Sequence, residues 1–212
     1  MTSQPASHAP DGAPAVDLDA LYNPPSETIT RSVLPALTPF HVEYLRAATF
    51  FCLATAGGGG LDASPRGGPP GFVQALDERT VAFADWPGNN RLASLRNLGD
   101  DARVAMLFLF PGLDIFLRIN GRAQLSLAPD LLAKLAEHGK RPKLGVVVAI
   151  DETLFHCGKA IQRAQLWTPQ SHLDRRSLPT PGRMKAAVLG WSEAQALDAD
   201  AHYAHAVRHD LY

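Results

Sequence analysis

About seven short strand-like runs, most of them apolar and separated by turns rich in glycine and proline, constrain the fold of this 212-residue chain more than any other feature. Each run has the length and composition of a β-strand, and few stretches of helical period interrupt the series. The runs cover residues 50–55, 61–65, 71–76, 80–84, 103–110, 113–127 and 144–155. Strands joined by short turns pair in antiparallel fashion. The sequence therefore predicts a mainly β protein, an antiparallel barrel or sandwich with flanking helices.

The two ends of the chain differ in composition from this centre. Residues 1–28 are rich in Pro, Ala, Ser and Asp and contain few large apolar side chains, so we expect a mobile segment that buries too little surface to offset its ordering entropy. Residues 29–170 contain the apolar runs and are predicted to form the barrel domain. Residues 171–212 are predicted to form a helical extension, in which Ser192 and Gln195 make a capping box that begins an amphipathic helix.

Charge and composition exclude several classes of protein. The chain has 20 Lys and Arg against 21 Asp and Glu, a net charge of −1, which gives no basic field for nucleic acid. Cys52 and Cys157 lack metal-ligand spacing, so neither a zinc site nor a disulfide framework is expected. No run approaches the roughly 18 apolar residues of a membrane span, and no secretion signal opens the chain. We expect a cytoplasmic protein without membrane or nucleic-acid partners.

The stretch 85–97, DWPGNNRLASLRN, is a candidate anion site. It follows a predicted strand, turns at Pro-Gly, and shows helical spacing of leucines from Arg91 onward, with Asn89 and Asn90 expected to cap that helix. A helix N-terminus presents unpaired backbone N–H groups, and Arg91 adds a planar two-pronged donor, so a phosphate would be held well here. The alternative is an ordinary capped surface helix.

Further polar residues are scattered along the chain. Arg118 and Asn120 lie within a predicted strand beside Gly121, which indicates a β-bulge or a close backbone approach. Lys159 and Arg163 are four residues apart in a helical pattern predicted from 156 to 167, so they share one face. Solvated strand and helix faces are the alternatives. Scattered cations in a near-neutral chain fit a phosphorylated cofactor better than a polyanion.

Four blocks of sequence together resemble one family. They are ASPRGGPPGF at 63–72, DWPGNNRLASLRN at 85–97, FPGLDIFLRINGRA at 110–123 and FHCGKAIQRAQLW at 155–167. The blocks are similar to those of the pyridoxamine 5′-phosphate oxidase-like flavoproteins, and more narrowly to a bacterial branch of FMN-dependent enzymes. The resemblance implies an FMN-binding split barrel that forms a homodimer, with one FMN in each of two clefts at the subunit interface.

The resemblance also implies which side chains line the cofactor. They are Ser64, Arg66, Asn89, Asn90, Arg91, Arg118, Asn120, His156, Lys159, Arg163 and Trp167. The first two would line it from a strand, the next three would hold the phosphate at a helix start, and Arg118 and Asn120 would face the cleft. The last four would close the site around the phosphate, ribityl chain or ring. Buried structural roles are the alternative for His156 and Trp167.

The function that the resemblance implies is that of an FMN-dependent oxidoreductase, which transfers a hydride between bound flavin and an unidentified small molecule. No catalytic side chain is assigned, because the flavin supplies the redox chemistry. After Trp167 the sequence has no counterpart of the arginine and histidine motif with which the true oxidase holds the B6 vitamer, so pyridoxamine 5′-phosphate is not implied as the substrate. The alternatives are a non-catalytic flavin- or haem-binding module of the same fold, an interaction protein that docks through its last helix, and a deazaflavin in place of FMN.

Overall fold

The computed structural model describes residues 16–174 and 177–212. The chain divides into two compact units between Ser32 and Val33. In the first unit, helices α1 (Leu18–Leu21) and α2 (Glu27–Arg31) begin at residues whose side chains accept backbone N–H groups, and neither of these described helices buries a residue. The predicted mobile segment falls largely on residues 1–15, which lie outside the described part of the chain, and it stays a prediction.

The second unit is built on one antiparallel sheet of seven strands. They are β1 (Phe50–Gly57), β2 (Gly60–Gly67), β3 (Val73–Asp77), β4 (Thr80–Asp85), β5 (Arg103–Leu109), β6 (Ile115–Ser126) and β7 (Leu144–Cys157). Their order in the sheet is β2-β1-β5-β6-β7-β4-β3. Every predicted apolar run forms a strand, and the predicted mainly β, antiparallel fold is confirmed.

The sheet folds over on itself around a phenylalanine-rich core. Phe51 on β1 lies 5.0 Å, centroid to centroid, from Phe83 on β4, although four steps in the sheet order separate these two strands. Phe51 also contacts Phe72 and Phe108 at 5.7 and 5.0 Å. Alternate residues of the strands point into this core because successive side chains of a strand face opposite sides. The sheet is therefore a barrel, open between its edges, of the split-barrel type.

Gly121 marks an irregularity in the longest strand pair. The register of β6 against β7 shifts between Asn120 and Gly121, so that Asp151 is an extra residue in β7. A Cβ at Gly121 would collide with the carbonyl oxygen of Ala149. Both predicted features, the bulge and the close backbone approach, are confirmed.

The described residues of the second unit also form six α-helices. They are α3 (Pro39–Ala47), α4 (Ala93–Asp100), α5 (Pro129–Lys134), α6 (Lys159–Ala164), α7 (Pro181–Leu189) and α8 (Glu193–His209). The capping box of Ser192 and Gln195 at the start of α8 is confirmed. Helix α7 packs against α8, where the N–H of Gly182 donates to Asp200 Oδ1 at 2.6 Å. Among the residues that the structure describes, no helix combines the length and apolarity needed to span a membrane.

Two predicted helix starts are wrong. The helix predicted from His156 begins at Lys159 instead, because His156 and Cys157 continue β7 and pair with Phe116 and Ile115. That helix ends at Ala164, short of the predicted position 167. The helix predicted from Arg91 begins two residues later, at Ala93.

Candidate functional site

A cavity of about 430 Å³ lies where the ends of β2 and β4 meet the start of α4. Five of the predicted site residues line it together: Ser64, Arg66, Asn89, Asn90 and Arg91. They come from segments more than twenty residues apart in sequence, so the fold of the sheet is what brings them to one place.

The loop between β4 and α4 gives the cavity its polar rim. Asn89 Oδ1 accepts the backbone N–H of Arg91 at 3.0 Å, and Asn90 has a left-handed φ of 57°. Leu92, the N-cap residue of α4, is also left-handed, and no side chain caps the helix. The expectation that Asn89 and Asn90 cap this helix is wrong, because the asparagine side chain closes a local turn that competes with helix formation.

The start of α4 therefore keeps free backbone donors at the cavity. The first N–H groups of an α-helix have no partner within the helix, and Ala93 to Leu95 line the cavity. The left-handed conformation of Leu92 is unfavourable for a residue with a Cβ, by roughly 1 to 2 kcal/mol. Such outliers concentrate at binding sites, which agrees with a loop shaped for a ligand.

A network of hydroxyl, carboxylate and guanidinium groups fixes Arg66. Its Nη1 donates to Ser64 Oγ at 3.0 Å, and its Nη2 donates to Ser94 Oγ at 3.2 Å. Ser94, which is only 3% exposed, donates to Asp62 Oδ2 at 2.6 Å and shares a 2.7 Å hydrogen bond with Ser64. The buried Nε of Arg66 has no hydrogen-bond partner within the described residues. The guanidinium is held in place with one donor still unused.

Sequence reasoning missed Asp62 and Ser94. Asp62, Ser64 and Arg66 alternate along β2 and so lie on one face of that strand, which is a signal that the strand period could have provided. Ser94 had no such signal, since its role depends on where α4 starts.

Carboxylates that line the cavity partly offset its positive charge. Burial raises the pKa of Asp85 above its usual range, while the charge of Arg66 acts in the opposite direction. The Arg91 side chain is exposed and makes no hydrogen bond or ion pair within residues 16–174 and 177–212. Arg66 and Arg91 are thus the two cations that an anion in this cavity would meet.

Three other predicted site residues, Arg118, Asn120 and His156, lie away from this cavity, on the face of β6 and β7 opposite the core. Arg118 Nη2 and Asn120 Nδ2 both donate to Glu152 Oε1, at 2.6 and 2.8 Å. Burial, and then the charge of Arg118, lower the pKa of His156. Glu152 was not predicted, because its pairing with Arg118 depends on strand register across 34 residues. The Glu152 carboxylate therefore already compensates the charge of Arg118.

The remaining predicted residues lie on α6 and three residues beyond its end. Lys159 and Arg163 are exposed, and Trp167 Nε1 donates to the carbonyl oxygen of Leu113 at 2.9 Å. This bond ties the segment that follows α6 to the turn between β5 and β6. The structure does not bring these three residues into the cavity within one chain.

A comparison with known protein families identifies the family of this chain. The sequence model for pyridoxamine 5′-phosphate oxidase matches residues 37–157, more than half of the chain. The chain belongs to the pyridoxamine 5′-phosphate oxidase family. The resemblance read from the four sequence blocks is thereby confirmed.

The match to the oxidase family covers most of the predicted site. It includes all five residues of the cavity together with Arg118, Asn120 and His156, and it ends before Lys159, Arg163 and Trp167. The last three therefore rest on the sequence blocks alone.

Several solved structures are similar to this chain at low sequence identity. HupZ from Group A Streptococcus is 14% identical, with a TM-score of 0.44, over 55% of this chain and 92% of that one. General stress protein 26 from Bacillus anthracis is 9% identical, with a TM-score of 0.43, over 54% and 89%. An FMN-binding protein from Syntrophomonas wolfei is 12% identical, with a TM-score of 0.41, over 54% and 80%. Among proteins with curated descriptions, none matches this sequence significantly.

Proposed function

We propose that this member of the pyridoxamine 5′-phosphate oxidase family is an FMN-dependent oxidoreductase and that the cavity beside α4 holds the FMN phosphate. The hydrogen bonding of Arg66 supports this most directly. Its guanidinium is fixed by Ser64 and Ser94, and its buried Nε has no partner within the described part of the chain. An unused, immobile donor next to a helix start is what a phosphate oxygen requires.

The other residues of the cavity fit the same ligand. Free N–H groups at Ala93 to Leu95 and the exposed guanidinium of Arg91 add charge-assisted and dipolar donors. A volume of about 430 Å³ lies within the range of roughly 300 to 1,000 Å³ that is usual for cofactor pockets. The donor set therefore matches a phosphorylated cofactor.

The redox chemistry, exchange of a hydride with a small molecule, would be supplied by bound FMN. The side chains of this protein would bind and orient it: Arg66 and Arg91 at the phosphate, Asn89 and Asn90 by shaping the loop around it. No side chain is assigned to proton transfer. The expected cytoplasmic location stays a prediction.

We further propose that two copies of the chain share the site. Arg118, Asn120 and His156 on the outer sheet face would then reach the FMN bound by the partner. So would Lys159 and Arg163 on α6 and Trp167 just after it. Buried polar atoms on that face, Arg118 Nε and Asn120 Oδ1, have no partner within the described residues, and Leu107 on the same face is 38% exposed. A second copy would cover such a face.

The proposal is tested by identifying the cofactor. Purified protein is denatured, the released cofactor is identified by mass, and the holoprotein is assayed for flavin reduction by NADH and NADPH. FMN release with reduction by one of them is expected. A protein that takes up haem with a Soret shift but no flavin would contradict the proposal and favour the binding-module alternative.

A matched pair of arginines tests the position of the phosphate. Arg91→Ala is expected to weaken FMN binding by about 1.5 to 3 kcal/mol, the range for hydrogen bonds to charged groups. Arg96 lies on the exposed side of α4 and does not line the cavity, so Arg96→Ala is the control and should bind FMN as the wild type does. Equal FMN affinities for the two variants would place the phosphate elsewhere.

A further inference from the structure

Trp86 joins the cavity to a second cluster of residues behind it. It follows directly on β4 and lines the cavity, while its indole also packs against a small apolar cluster that contains Ala82, Ala84 and Leu135. Its Nε1 donates to Glu137 Oε1 at 3.1 Å. One side of Trp86 thus borders the proposed cofactor, and the other is anchored in the protein.

The anchor is a hydrogen-bonded turn between α5 and β7. Glu137 and Lys140 exchange two backbone hydrogen bonds, of 3.0 and 2.8 Å, and Glu137 is only 8% exposed. A buried carboxylate on a closed turn offers the indole N–H a fixed acceptor. The position of Trp86 is therefore set by a part of the chain about fifty residues away.

Tyr212 completes this anchor from the other side. Its ring meets Trp86 edge-on, with centroids 5.0 Å apart at 86°, and it lies 5.1 Å from the ring of His138. Lys140 Nζ donates to the backbone oxygen of Tyr212 at 3.1 Å. Burial, and to a smaller extent the neighbouring Glu137 carboxylate, raise the pKa of the Tyr212 phenol. Its hydroxyl group therefore stays protonated at ordinary pH.

The loop beyond Trp86 has little else to hold it. Each residue from 87 to 92 is exposed, and within this loop the only side-chain hydrogen bond found in the described structure is that of Asn89. The loop conformation therefore depends on its two ends, Trp86 and α4. If one end were released, a ligand would have to order the loop when it binds. The free energy of that ordering would weaken binding of the ligand.

We propose that Tyr212 is a positioning residue for the cavity: its ring clamps Trp86 against the turn at 137–140 and so keeps the loop 87–92 in its ligand-binding conformation. This rests on the proposed function in so far as the ligand is FMN. The clamp itself is defined by Trp86, Glu137 and Tyr212.

Binding measurements test the clamp. Tyr212→Ala is expected to weaken FMN binding about 2- to 10-fold, the range for the loss of one aromatic pair, whereas Tyr212→Phe, which keeps the ring, should stay within about twofold of the wild type. Tyr203→Ala is the control, because Tyr203 is an exposed tyrosine on α8. In a Trp86→Ala background, Tyr212→Ala should have no further effect. A full effect in that background, or a loss in Tyr212→Phe equal to that in Tyr212→Ala, would overturn the clamp.

A second readout needs no flavin. The chain has three tryptophans, so Trp167→Phe with Trp191→Phe leaves Trp86 as the only fluorescent indole. Adding Tyr212→Ala should increase acrylamide quenching of Trp86, and Tyr203→Ala should not. If wild-type protein fails to bind FMN while quenching responds as expected, the proposed function fails and the clamp stands. If FMN binds normally and Tyr212→Ala changes neither quenching nor affinity, the clamp is overturned and the function stands.

Discussion

Arg66 and Arg118 both lie on strands of the same barrel, yet their surroundings differ in charge. Neutral hydroxyls of Ser64 and Ser94 hold Arg66, whereas the carboxylate of Glu152 holds Arg118 at 2.6 Å. Among the ion pairs within the described residues, none involves Arg66. An arginine held by hydroxyls keeps its full charge for a ligand, whereas one held by a carboxylate keeps only its unused N–H donors, such as the Nε of Arg118. The charge of the groups that hold an arginine therefore distinguishes an anion site from a polar surface better than the number of arginines does.

The strongest test of this difference removes each arginine in turn. Arg66→Ala should weaken FMN binding by about 1.5 to 3 kcal/mol, roughly 10- to 150-fold in Kd. Arg118→Ala should cost less than about 1 kcal/mol, because its charge is already compensated at a half-exposed position. Isothermal titration of both variants with FMN measures the ratio, and a larger loss for Arg118→Ala would reverse the comparison.

The support of Arg66 can be removed without touching the arginine. Ser94→Ala deletes a buried hydroxyl that accepts from Arg66 and donates to Asp62. Leaving these two groups without partners should lower the free energy of unfolding by about 1 to 2 kcal/mol, and FMN affinity should fall with it. Urea denaturation of the apoprotein checks the first effect. An unchanged midpoint would mean that Ser94 is not part of a network that fixes Arg66.

On the opposite face, Glu152→Gln converts the compensated arginine into an uncompensated one. The pair is about one third exposed on each side, so the loss of stability should stay under about 1 kcal/mol. The pKa of His156, already lowered by burial and by Arg118, should fall further once the Glu152 charge is gone. An NMR titration of the His156 ring measures this, and a pKa that rises would contradict the expected effect of the uncompensated Arg118 charge.

The smallest expected effect concerns Asp85. Its pKa in the folded protein is raised above 3.8, so in the pH range just above 3.8 the folded state binds more protons than the unfolded state, and stability decreases as pH rises through that range. Asp85→Asn should remove this decrease and should also strengthen FMN binding at neutral pH, since one negative charge leaves the phosphate site. Unfolding free energies between pH 4 and 6 test the slope, with the exposed Asp198→Asn as the control.

Local patterns in the sequence predicted the elements of the fold well. Each apolar run became a strand because strand period and turn residues are properties of adjacent residues, and Gly121 indicated its bulge for the same reason. The start of α4 could not be predicted in this way. There Asn89 Oδ1 accepts the backbone N–H of Arg91, and this one side-chain hydrogen bond favours a turn over an earlier start of the helix.

Five of the eleven predicted site residues meet in one cavity, but the groups that hold them were not predicted. Ser64, Arg66, Asn89, Asn90 and Arg91 were predicted and meet in one cavity. Their supports were missed, because Ser94, Glu152 and Glu137 act through contacts between segments 28 to 51 residues apart. Such contacts depend on strand register and on helix placement, which only the folded chain defines.

The central claim, that the cavity beside α4 holds the phosphate of FMN, is tested most directly by comparing FMN with riboflavin, which is the same molecule without the phosphate. Titration of the apoprotein should show FMN binding at least about tenfold more tightly than riboflavin, as expected for charge-assisted bonds to a phosphate. In Arg66→Ala this preference should largely disappear. Equal affinity of the wild type for FMN and riboflavin, or a preference that survives in Arg66→Ala, would contradict the account.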